Sequence, residues 1–232
     1  MDNRLNDLNR FYLLMKMLEQ KTGGPFYLSD INVLNVPKKG VYFFMEMGEL
    51  RSGTTADLRI VRVGTHGLTF NSKSTLVQRL KQHRGIIKTG GGNHRGSIFR
   101  LLVGAAVLNG SAGLATWGKN SSADRGVRLG EESLEKKVSH ILRNMPFLYL
   151  DVDDASSPTS LRGVIERNSI ALLSNYKQPP IDPPSPKWRG NQCDRERVRL
   201  SGLWNQNHVD EEYDPAFLEI LKIQINKTRS SI

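Results

Sequence analysis

The sequence predicts an α+β fold. Three observations carry this. Runs of β-forming residues occur at 41–47, 58–63 and 147–152, the first two close enough for an antiparallel hairpin. Apolar residues recur at helical spacing before, between and after these runs. The resulting order is helix, two strands, three helices, strand, helix and tail, without the regular strand–helix alternation of a parallel sheet.

Each element has a local reason. Residues 3–20 place Leu5, Leu8, Tyr12, Met15 and Leu18 on one helical stripe, which ends at Gly23-Gly24. Residues 37–40 are a turn, 41–47 (VYFFMEM) a strand, and 48–57 a polar loop. Residues 58–63 (LRIVRV) form a second strand stopped at Gly64. Ser72 or Ser74 caps a helix over 75–84, with Leu76, Val77 and Leu80 on its buried side. Residues 88–96 (KTGGGNHRG) are a flexible glycine loop, and 97–108 are apolar and helical. The glycine- and serine-rich stretch 110–130 reads as a loop insert. Residues 131–144 are helical, acids first and cations last as the helix dipole prefers, and Pro146 stops them. The strand 147–152 follows, then a helix opened by Ser157-Pro158-Thr159 and running to Leu173. Prolines exclude a helix over 179–190. A last helix within 210–227 contains Phe217, Leu218, Ile220 and Leu221. The expected organisation is an N-terminal helical arm (1–36), a central block (37–178, with the insert around 110–130) and a C-terminal extension (179–232).

Composition narrows the function. The single cysteine, Cys193, excludes an internal disulfide and a cysteine-built zinc site. No apolar run approaches the roughly 20 residues of a membrane helix, and the charged N-terminus is unlike a signal peptide. A soluble, cytoplasmic protein with no membrane partner is expected. The formal net charge is +10, and no acid occurs from Leu58 to Ala123. That block, folded onto one face, would attract a polyanion; a plain solvated basic surface is the alternative. Its cations include Lys81, Arg84, Lys88, Arg95 and Arg100, with His94 in the glycine loop placed to grip a phosphate. Trp188-Arg189 and Trp204-Asn205 pair an aromatic with a polar donor, which suits either a base or a buried tail anchor.

Walker A, GxGxxG, GxSxG and HExxH motifs are absent. Arg79 and His83 stand four apart on one helix, so they share a face. Such a pair can hold and protonate phosphate oxygens, or form an exposed basic patch. Glu166 is the only acid between Asp154 and Asp182. It reads as a hard-cation ligand or as a surface partner of Arg162. Asp151, Asp153 and Asp154 are a second metal candidate, or a strand-ending turn. Tyr42 reads as core or as a site hydroxyl.

In this order the pieces resemble the GIY-YIG nuclease superfamily over about residues 37–176. Gly40-Val41-Tyr42 resembles the first half-motif and Arg62-Val63-Gly64 the second; Arg79 with His83, then Glu166, follow on the expected helices. The family Asn would be Asn175 or Asn205. The second half-motif usually offers Tyr where Arg62 stands. Arg62 can stabilise phosphate charge but cannot serve as a phenolic acid or base, so either His66 takes part of that role or activity is reduced or lost. The resemblance implies a three-stranded antiparallel sheet flanked by helices. It also implies a DNA endonuclease using Mg²⁺ or Mn²⁺, with Tyr42, Arg62, His66, Arg79, His83, Glu166 and Asn175 as site residues. Double-stranded DNA is the implied substrate, a homodimer or sequential nicking the implied way to cut both strands, and restriction beside a companion methyltransferase the implied context. A nucleic-acid-binding protein without cleavage is the alternative on the same scaffold.

Overall fold

A computed structural model of the protein describes residues 3–109 and 114–229. Strands β1 (Gly40–Leu50), β2 (Leu58–Gly64) and β3 (Phe147–Asp151) form one antiparallel sheet in the order β2-β1-β3. The α+β expectation and the three-stranded sheet both hold. β1 lies in the centre because both of its faces are apolar. Val41, Phe43 and Met45 join the core on one face, and Tyr42 and Phe44 join the core on the other.

A strand buried on both faces needs two covering layers. The first is α1 (Asn3–Thr22), α5 (Leu161–Leu173) and α7 (Phe217–Lys227), which bring Phe11, Leu18, Ile165, Phe217 and Leu221 to the sheet. The second is α2 (Leu76–Arg84), α3 (Ile98–Leu108) and α4 (Arg125–Arg143), with Leu80, Phe99, Leu102 and Val138. The N-terminal arm and the C-terminal extension thus supply core to the sheet itself. Among the described residues no helix is long and apolar enough to cross a membrane.

Phe44 lies opposite Arg62 and Met45 opposite Ile60, so Val61 is an extra residue in β2. This bulge lets Val61 and Arg62, neighbours in sequence, both turn to the second layer.

Several boundaries differ from expectation: β1 runs on to Leu50, into the expected loop, and α2 is capped by Thr75, whose Oγ1 accepts from Gln78 N–H (3.2 Å), not by Ser72 or Ser74. α4 begins at Arg125, inside the expected loop insert, because Asp124 caps the Val127 N–H at 2.8 Å. Residues 110–113 of that insert lie outside the described residues. α5 is capped by Ser160, not by Ser157 to Thr159. A short helix, α6 (Glu196–Ser201), had no signal, since six residues cannot show a periodicity.

The extension also closes the outer edge of β2. Trp204 N–H donates to Val61 O (2.7 Å), and the Asn205 amide both accepts from Val63 N–H (3.2 Å) and donates to Val63 O (2.9 Å). An edge strand left open is a template for aggregation, and this segment occupies it. Asn205→Ala would leave two buried backbone groups without partners. A loss of about 2 kcal/mol in denaturant unfolding is expected, while an exposed control such as Asn6→Ala should cost far less.

Candidate active site

β2 ends at Gly64, and the chain turns through Thr65 and His66 into a cleft of about 420 Å³. Thr65 fixes this turn twice: its hydroxyl donates to Gly40 O (2.7 Å), and its N–H donates to Glu166 Oε1 (3.1 Å). Glu166 comes from α5, which packs against β2. Arg79, Gln82 and Ser74, from α2 and the loop before it, form the facing wall with Gly96.

Beneath the cleft lies a buried hydrogen-bonded chain. Tyr42 Oη is 2.9 Å from His83 Nε2, and His83 Nδ1 is 2.8 Å from Ser97 Oγ. Both rings are fully buried and do not line the cleft. Ser97 is also the N-cap of α3, accepting from Arg100 N–H. Gly64 is required here, since a Cβ on it would lie 2.2 Å from Tyr42 Oη. Burial, reinforced by the nearby Arg79, Arg62 and Arg100, holds His83 well below the usual imidazole range. It is neutral at pH 7, so one ring nitrogen donates and the other accepts.

Glu166 has the opposite perturbation. Burial raises its pKa; Arg62, the Thr65 N–H, His208 and Arg79 oppose the rise. Its second oxygen has no protein partner among the described residues. One carboxylate on a polar, open cleft fits a hard divalent cation that takes its remaining ligands from water and substrate phosphate, as Mg²⁺ commonly does. Among the described residues no three His, Cys, Asp or Glu side chains gather as a closed metal cage.

Arg62 sits behind this cleft with little exposure. Its Nη1 donates to Trp204 O (2.5 Å), its guanidinium stands 5.6 Å from the Phe99 ring centre, and its Nε has no partner among the described residues. Arg79 donates to Gln82 Oε1 (3.0 Å) and Gly96 O (3.1 Å). His66 lines the cleft, but both its nitrogens are engaged. Nδ1–H donates to Ser74 O (3.0 Å), and Nε2 accepts from Arg162 (3.4 Å). Burial, then the Arg162 charge, push its pKa down to about 4.

Several expected neighbours are elsewhere. Arg162 does not pair with Glu166; it bonds Asp154 (2.5 Å) and His66 O (2.6 Å). Asp154 is thereby used, and Asp151 and Asp153 line a different cavity. Asn175 lies outside the cleft, its amide bonded to Asp182 O, Ser201 O and Ile181 N–H. Asn205 lies on the β2 edge, does not line the cleft either, and likewise serves backbone, that of Val63.

The nucleic-acid residues need more correction. Trp188 and Trp204 are buried, and both indole N–H groups donate to Glu46 Oε2 (3.0 Å each), so neither offers a ring face to a base. His94 is stacked on Trp117 and bonded to Glu135. Arg95 holds Glu131 with two nitrogens, and Arg100, fully buried, holds Glu135. Arg84 is largely buried and bonds Asn32. Lys81, Lys88 and Arg189 are exposed. The acid-free block draws its counter-ions from outside itself: Glu49 for Arg59, Glu131 and Glu135 for Arg95 and Arg100. Ser97 and Thr65 escaped sequence reasoning. Ser97 does carry a signal, a capping residue directly before the apolar run 98–108.

A three-stranded antiparallel sheet carries a tyrosine on its central strand, hydrogen-bonded to a histidine of α2, and a glutamate of α5 lines the cleft at the end of β2. A family model described as the GIY-YIG domain matches residues 2–231. The chain belongs to the GIY-YIG family. Comparison with curated proteins and with solved structures gives no match.

Two outcomes follow from this geometry. Gly64→Ala is expected to displace Tyr42 and break its bond to His83, lowering stability by about 2 kcal/mol in denaturant unfolding. His66 and His83 bind fewer protons folded than unfolded below the ordinary imidazole pKa. Their contribution to stability is therefore present above about pH 6.5 and is lost as pH falls toward 4. Unfolding measured across this window should show a steep loss, and His66→Gln should make it shallower.

Proposed function

We propose that the protein is a divalent-metal-dependent endonuclease that hydrolyses phosphodiester bonds of double-stranded DNA. The observation that carries this is the Tyr42–His83 hydrogen bond lying under a cleft whose rim bears Glu166 and Arg79. The net charge of +10 supports a polyanionic substrate.

Glu166 would hold Mg²⁺ or Mn²⁺, which when bound supplies Lewis-acid charge to the phosphate and the leaving oxygen. The residues of the chain do the rest. Tyr42 Oη receives a proton from the attacking water while its own proton passes to neutral His83. Ser97 orients His83 for this. Arg79 exchanges its bonds to Gln82 and Gly96 O for phosphate oxygens, and Arg62 opposes the charge that grows beneath them. Because Tyr42 is buried, water reaches it only as bound substrate displaces the cleft wall. His66 keeps the Ser74 loop in place through its two engaged nitrogens and takes no proton, and Asn175 supports the fold. As the family resemblance implies, the products carry 5′-phosphate and 3′-hydroxyl ends. Cutting both strands requires two sites, as in a homodimer, or two successive nicks. Restriction beside a methyltransferase is the context we favour.

Arg62 in the place of the second tyrosine favours one other reading, a protein that binds DNA without cutting it. Plasmid cleavage with Mg²⁺ separates the two. Metal-dependent nicking or linearisation is expected, abolished by EDTA and by Glu166→Gln. Tyr42→Phe is expected to lower the rate by about 10²–10⁴. Tight, salt-sensitive binding with no cleavage under any divalent cation would sink the nuclease reading in favour of the binding one.

A further inference from the structure

The first turns of α4 project into solvent. Arg125, Arg128 and Leu129 are exposed, and a Cβ on Gly130 would meet nothing. Leu129 is 59% exposed and Ile86, across the same cavity, 56%. This cavity of about 650 Å³ is walled by the glycine loop through Gly91, Gly92 and Asn93 and by the start of α4.

The charges around it are unequal in one respect. Every glutamate in its wall already has a cation: Glu131 has Arg95, Glu135 has Arg100, and Glu132 has Lys136 at 2.8 Å. Asp124, at the helix start, is used as the N-cap. Arg125 and Arg128 have no ion pair or side-chain hydrogen bond among the described residues. They also stand at the positive end of the helix, with no acid in its first turn, where cations are disfavoured. The capping carboxylate of Asp124 offsets this placement in part, but neither guanidinium is tied to it. Lys119 adds a further exposed cation at an adjoining cavity.

This surface adjoins the active-site cleft. Gly96 lines the cleft, while Arg95, its neighbour in the chain, lines the α4 cavity. A single turn, His94–Gly96, is the wall between them. A polyanion long enough to cross this turn would meet Arg125 and Arg128.

We propose that Arg125 and Arg128 are a DNA-backbone clamp that binds phosphates of the duplex flanking the scissile bond, with Leu129 lying against the sugar edge between them. This rests on the DNA reading above. It assigns the backbone contacts to a helix start that lies outside the acid-free block and replaces Arg95 and Arg100, which serve the protein interior.

The test is binding of a short fluorescent duplex of mixed sequence to the full chain in EDTA, followed across a salt series. Arg125→Ala/Arg128→Ala should weaken binding alike on unrelated sequences and lower the salt slope by about 2, one per lost phosphate contact. Arg125→Lys/Arg128→Lys should keep the slope, since the point charges remain. The thermal unfolding of both variants should match the parent, as both side chains are exposed. A double alanine variant with the parent's slope overturns the clamp and leaves the DNA reading standing. A parent that shows no salt-dependent duplex binding overturns both.

Discussion

The burial of strand β1 on both faces is the constraint on which this structure depends. Val41, Phe43 and Met45 require one layer of helices and Tyr42 and Phe44 another. A chain that covered only one face would leave several aromatic or aliphatic side chains in water, at about 1.5–3 kcal/mol each. The two layers draw on both ends of the chain. α1 and α7 complete the first, while Trp188 and Trp204 enter the second. The extension is therefore structural before it is anything else. Glu46 illustrates this: it reaches from β1 to both indoles, and burial raises its pKa while their hydrogen bonds oppose the rise.

The site follows from the same constraint. Tyr42 is a core residue by packing, and its hydroxyl needs a buried partner. His83 supplies it, and burial keeps His83 neutral, which is the state able to accept a proton. The feature that satisfies the core is thus the one we assign to the chemistry. Polar groups meet water only one layer further out, where Glu166, Thr65 and Arg79 line the cleft. Arg62 bridges the two levels. Its charge acts on both Glu166 and His83, while its own bond goes to the backbone of the extension. That anchoring gives the residue a structural reason to be arginine, independent of any part in phosphate chemistry.

The charge pattern carries a separate lesson. A stretch without acids looked like a binding face, yet Arg59, Arg95 and Arg100 are interior and paired. Long-range pairing is invisible to a linear count, because the counter-ions lie tens of residues away. The free cations at the start of α4 fell in a segment whose glycines read as loop. A helix there needed Asp124 as its cap, and the packing of Leu134 and Val138 further along to hold it.

The sequence alone determined the order and type of the main elements, since hydrophobic period and capping residues are local properties. It also determined the family and the candidates Tyr42, Arg79, His83 and Glu166, because their spacing relative to those elements is itself a sequence feature. Tertiary structure decided which of them meet. Tyr42 and His83 are 41 residues apart, and Thr65 and Glu166 are 101 apart. Only the folding of α2 and α5 onto opposite faces of one sheet sets these distances. It likewise decided that Trp188, Trp204, His94 and Arg100 belong inside, because burial is a property of the surrounding layers and not of the residue.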